Sequence, residues 1–153
     1  MKARTTIFTL ALCFVAAAAF ASSPYMGTWK LNEAKSKFPA AAQKNNTVVY
    51  EAAGDSTKVT VDGTDADGKP THNEWTGKFD GKDYPLTGDS SADARSYKKI
   101  DDHTMALTNK KDGKAVATAR IVVSADGKSR TVTLMGTDAK GNKTKSIAVY
   151  DKQ

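Results

Sequence analysis

The chain contains one cysteine, Cys13, and it lies inside an N-terminal apolar run. Everything downstream lacks cysteine, which excludes disulfides and thiol chemistry there. Histidine is nearly absent: only His72 and His103 occur. Glutamate is limited to Glu33, Glu51 and Glu74, and the aspartates gather beside glycines. Gly-x-Ser-x-Gly, a Cys/His nucleophile pair and a phosphate-binding glycine loop are all missing. The chain is therefore read as non-catalytic and without a cofactor. A mean hydropathy of −0.51 excludes a polytopic membrane protein.

The one apolar run is a targeting segment. Lys2 and Arg4 precede it, Ile7 to Phe20 are almost wholly apolar, and Ala19-Phe20-Ala21 supplies small residues at the cleavage positions. This predicts a secretory signal peptide over residues 1–21 and a periplasmic or secreted product. The run is too short to favour a membrane span. Leu12 is too bulky for lipoprotein processing at Cys13, and the apolar run continues past it, so Cys13 reads as part of the signal segment. Losing Lys2 and Arg4 lowers the basic residues from 23 to 21 against 17 acidic, and the excess from +6 to +4. Residues 22–153 make one domain. They hold 28 large apolar or aromatic residues, a thin inventory that suits one sheet curled on itself around a partly hollow interior.

Those residues read as a β-meander. Val, Thr and Tyr alternate with polar residues over Met26–Leu31, Thr47–Ala52, Lys58–Asp62, Thr71–Phe79, Ala94–Ile100, Thr104–Lys110, Lys114–Ser124, Ser129–Gly136 and Lys143–Tyr150. Lys82–Thr87 is a weaker strand, because Pro85 cannot donate a ladder hydrogen bond. The expected fold is all-β: an antiparallel up-and-down β-barrel of 8–10 strands. Asp-Gly-Lys recurs at residues 67–69, 80–82, 112–114 and 126–128, and Asp-Gly suits tight hairpins. Asn32 to Gln43 breaks the alternation; Asn32 could cap a short helix through Phe38, stopped by Pro39, and the segment is read as a loop with a helical turn over one end of the barrel.

Residues 59–66 resemble residues 132–139. Either a half-barrel duplication or one turn solution used twice explains this, and the second is favoured. Gly63 to Glu74 partly matches a calcium loop, but strand-like flanks and Gly63 at its first place favour a hairpin turn. His72 and Glu74 share a strand face, yet no third metal ligand is identifiable.

Gly27-Thr28-Trp29 resembles the Gly-x-Trp opening of the calycins, the lipocalins and fatty-acid-binding proteins. The resemblance implies that Gly27 and Trp29 are a structural motif, with Trp29 across the barrel's closed end. Asp112-Gly113-Lys114 followed by Arg120 looks like the turn and strand that supply an interior arginine of the fatty-acid-binding family. Tyr150-Asp151-Lys152 looks like its closing Tyr-Glu-Lys. Gly27 to Asn32 also resembles the opening of a group of small secreted bacterial proteins. Three features depart from the families. Ala148 stands where the fatty-acid-binding family has a second arginine, the segment from Leu31 to Thr47 is too short for its helical lid, and the lipocalin arginine near the barrel's end is missing.

The candidate ligand-binding residues are Arg120, Tyr150, Trp75, Tyr50, Tyr97 and Met105. If the Arg120 face is interior, a fixed guanidinium favours a carboxylate or phosphate. If the opposite face, Ala115 to Val123, is interior, Arg120 is solvated. The expected function is binding of a small amphipathic or hydrophobic, fatty-acid-like ligand. The alternative is a filled barrel that binds an anionic envelope component or inhibits a secreted enzyme. Among residues 22–153, eighteen dispersed lysines against three arginines do not suggest a nucleic-acid partner.

Overall fold

A computed structural model describes residues 23–138 and 140–153. The predicted signal segment, with Cys13, lies outside the described residues. Ten strands run in chain order: β1 (Gly27–Leu31), β2 (Lys44–Ala53), β3 (Ser56–Thr64), β4 (Pro70–Gly77), β5 (Tyr84–Thr87), β6 (Ala94–Lys99), β7 (Thr104–Lys111), β8 (Lys114–Val123), β9 (Ser129–Thr137) and β10 (Lys143–Lys152). Each pairs antiparallel with its chain neighbours, and β1 pairs with β10 to close an up-and-down barrel. Closure removes the unpaired strand edges that would invite aggregation. The fold is the expected all-β barrel.

Turn chemistry sets the connections. Asp112 and Gly113 both take positive φ, 50° and 75°, the twisted two-residue turn that joins β7 to β8 at the Lys111–Lys114 pair. The turns after β3 and β9 share one solution. Asp65 Oδ1 accepts from the backbone N–H groups of Asp67 (2.9 Å) and Lys69 (2.8 Å). Asp138 Oδ1 accepts from those of Lys140 (2.9 Å) and Asn142 (2.8 Å). The internal repeat thus coincides with one aspartate-capped turn used twice, and the calcium-like stretch is the β3–β4 hairpin.

Two stretches that the sequence defined weakly take clear form. The segment after β1 forms only a single 3₁₀ turn, Glu33–Lys35, although Asn32 caps it as expected by accepting from the Lys35 N–H at 3.2 Å. The turn ends well before Pro39 because Lys37 bridges Ile147 of β10, which draws the chain into extended geometry. Lys82–Thr87, the weaker strand, is borne out over Tyr84–Thr87. Pro85 is exposed on it, and β5 registers only two residue pairs on each side, so its missing N–H is tolerated.

Period-two alternation places one face of each strand inside. Val48 and Tyr50, Val59 and Val61, and Ile121 and Val123 are buried. One end is filled by rings. Trp75 stacks on Phe79 with centroids 6.3 Å apart and meets Tyr97 edge-on at 4.7 Å. Tyr25 also packs on Phe79, and its backbone carbonyl accepts from Trp29 Nε1 at 2.8 Å.

Candidate functional site

Above the ring-filled end lies a cavity of about 200 Å³. It reaches toward Phe38 and Gln43 in the segment after β1 and toward Asp89 and Ser91 between β5 and β6. Its wall is mixed, with apolar residues interleaved with amides and serines, and it carries two arginines, Arg95 and Arg130.

Arg130 comes from β9. Thr131, Thr133 and Met135 alternate outward there, so Arg130 falls in phase with Val132 and Leu134 on the inner face. The side chain is 3% exposed, and Nε and Nη1 have no hydrogen-bond partner. Its guanidinium carbon stands 4.7 Å from the Tyr150 ring centroid, 4.9 Å from Trp29 and 5.1 Å from Tyr50. Tyr150 is its cross-strand neighbour on β10. The aromatic faces attract the cation, but they do not neutralise it.

Arg95 comes from β6, two residues before Tyr97 and on the same face. It is 5% exposed. Its Nε donates to Asn109 Oδ1 at 2.7 Å and its Nη1 to Asn73 Oδ1 at 3.4 Å. Both acceptors are neutral amides, so they orient the guanidinium without cancelling its charge. Among the described residues, neither arginine forms an ion pair. The one carboxylate on the wall, Asp89, accepts from Ser91 N (2.9 Å) and Ser91 Oγ (2.6 Å).

The tyrosines below are held neutral. Burial pushes the Tyr150 phenol up to about 12, against the opposing pull of Arg130. Its hydroxyl donates to the Asn45 carbonyl at 2.9 Å. Burial also raises Tyr97, which lies in the field of both guanidiniums. Phenols in this state act as hydrogen-bond donors.

The residues singled out from sequence divide three ways. Tyr50 and Tyr97 border the cavity. Trp75, Met105 and Tyr150 are buried but belong to the packing around it. Arg120 must be corrected. It is exposed on the outer face of β8, while Ala119, Ile121 and Val123 point inward. The face with Ala117, Ala119, Ile121 and Val123 is the inner one, and the register leaves Arg120 on the hydrated outer face. The arginines that do lie inside were missed, although the signal was present: each is in phase with aromatic or apolar residues. Arg130 stacks on Trp29 from β9. His72 and Glu74 do share a face, but it is the outer one. His72 Nδ1 meets Asp62 Oδ1 at 2.6 Å and Glu74 pairs with Lys58 at 2.6 Å.

The chain matches no family model. It matches no curated protein either. Among solved structures, it is similar to the chain described as EF1p2_mFAP2b bound to DFHBI, with a TM-score of 0.51 and 11% identity. The match covers 87% of this chain and 97% of that one. At that identity the likeness concerns the barrel fold.

Proposed function

We propose that this protein is a secreted or periplasmic, non-catalytic barrel that takes a small amphipathic acid into its interior. One observation carries the reading: Arg130 is buried against the cavity with two donor nitrogens that lack a hydrogen-bond partner and, among the described residues, no ion pair. An isolated buried cation costs several kcal/mol, of which contact with aromatic faces offsets about 0.5–2 kcal/mol each. A ligand acid would restore paired, charge-assisted hydrogen bonds. Part of the wall suits an apolar body, through Val48, Val61, Ile121 and Val132. Support also comes from the architecture, since the similar solved barrel is described with a small molecule bound.

Volume limits the ligand. A cavity of about 200 Å³ falls below the roughly 300 Å³ at which pockets for drug-sized ligands begin. A compact acid fits, whereas a long acyl chain would have to run out past Phe38. Native mass spectrometry of protein purified gently from its own host's envelope fraction tests this. The expected result is a small adduct that is lost on denaturation and absent from Arg130→Met. A bare mass across repeated preparations would count against a carrier.

A further inference from the structure

We infer that the ligand carries two acidic groups, one for Arg130 and one for Arg95. This rests on the reading that the cavity takes an acid. The two guanidiniums share no partner. Arg130 is framed by Trp29, Tyr50 and Tyr150, and Arg95 by Asn73 and Asn109. They also begin at separate places on the wall. The rung of Arg95 crosses β7 at Asn109 and β8 at Ala117, and meets β9 at Gly136 rather than at Arg130. Between them stand Tyr97, on the Arg95 strand, and Tyr50, whose ring meets Tyr97 edge-on at 6.2 Å.

Charge decides how many acids the cavity calls for. Arg95 and Arg130 are both more than nine-tenths buried, and both line one cavity. A mono-acid would leave one of them uncompensated in a medium of low dielectric. An aspartate in place of Asn73 or Asn109 would occupy nearly the same volume and neutralise Arg95 permanently. The amides instead aim it and leave its charge for a guest. Asp89 stands on the same wall but forms no ion pair with either arginine; its Oδ1 accepts from Ser91 instead.

The test is calorimetric titration of the purified protein at neutral pH. Linear α,ω-diacids from glutarate to sebacate are compared with the mono-acid of the same carbon count. The best diacid should bind about tenfold or more tightly than its mono-acid, as expected for one added charge-assisted pairing. Arg95→Met and Arg130→Met should each bring that diacid down to the level of the mono-acid. Equal affinity for mono-acids and diacids at every length would overturn the two-acid inference and leave the single-acid reading standing. No binding in either series would overturn both. The wild-type comparison decides even if one variant fails to fold.

Discussion

A methyl group has no room at the ring-filled end of the barrel. A Cβ on Gly77 would stand 2.5 Å from Tyr84 Cγ and 2.7 Å from Trp75 Cζ2. Toward the other end, alanines already occupy the wall at positions 117, 119 and 148, and about 200 Å³ is still left unfilled. The same thin inventory of large side chains is therefore divided unequally. Most aromatic mass is concentrated at one end, where it supplies cohesion through close contact. The other end keeps small side chains and two unneutralised cations, an arrangement that costs stability and offers a binding site. The comparison separates residues that hold the barrel together from residues that use it.

The largest expected effect comes from removing a ring. Trp75→Ala should cost about 3–5 kcal/mol, because Trp75 is buried, touches Phe79, Tyr84 and Tyr97, and donates from Nε1 to the Arg95 carbonyl at 2.8 Å. Denaturant unfolding measures it. A loss below about 1 kcal/mol would mean the ring cluster does not carry the stability assigned to it. A matched pair then sharpens the contrast. Gly77→Ala should destabilise by about 1–3 kcal/mol through overpacking. Ala119→Leu, on the cavity wall, should be neutral or stabilising by up to about 1 kcal/mol, since its added methylenes enter open space. Thermal melts of the two variants, with acid binding followed for Ala119→Leu, should show the second variant folded and unable to bind. If both destabilise equally, the cavity is not a usable space.

Arg130→Met tests which side of the division Arg130 belongs to. Three aromatic contacts at about 0.5–2 kcal/mol each offset a desolvation cost of similar size, so stability should move by less than about 1 kcal/mol. Acid binding should fall by about tenfold or more. A large loss of stability with unchanged binding would make Arg130 a structural clasp on Trp29.

The fold was legible because strands with one buried face print a two-residue period, and Asp-Gly marks their ends. Val48 with Tyr50 and Val59 with Val61 show this plainly. The site was less legible. Arg120 satisfied a family spacing, but its own strand offered two faces, and only packing chose the one with Ala117, Ala119 and Ile121. Arg95 and Arg130 could have been found from phase alone, since Tyr97 and Val132 follow them at the next inward positions. What no local pattern supplied was the convergence of β6 and β9 on one cavity, because that depends on barrel closure. Phe38 shows the same limit: its place at the cavity follows from the Lys37–Ile147 bridge, a pairing across most of the chain.

The smallest effect concerns Tyr150, at the border between the two regions. Tyr150→Phe removes a hydrogen bond to the Asn45 carbonyl and should cost about 1 kcal/mol at neutral pH. Its pH dependence says more. Burial raises the phenol from its ordinary value near 10 up to about 12. Below pH 10 the folded and unfolded chains both keep this proton, so the contribution is fully present. Between about pH 10 and 12 the unfolded chain releases the proton and the native chain retains it, so stability falls as pH rises. Burial raises Tyr97 as well, which adds a fall of the same sign. Denaturant midpoints across that window should drop less steeply for Tyr150→Phe than for the unaltered protein. Parallel curves would mean that water reaches the Tyr150 phenol, and the dry floor beneath Arg130 would then have to be redrawn as part of the open cavity.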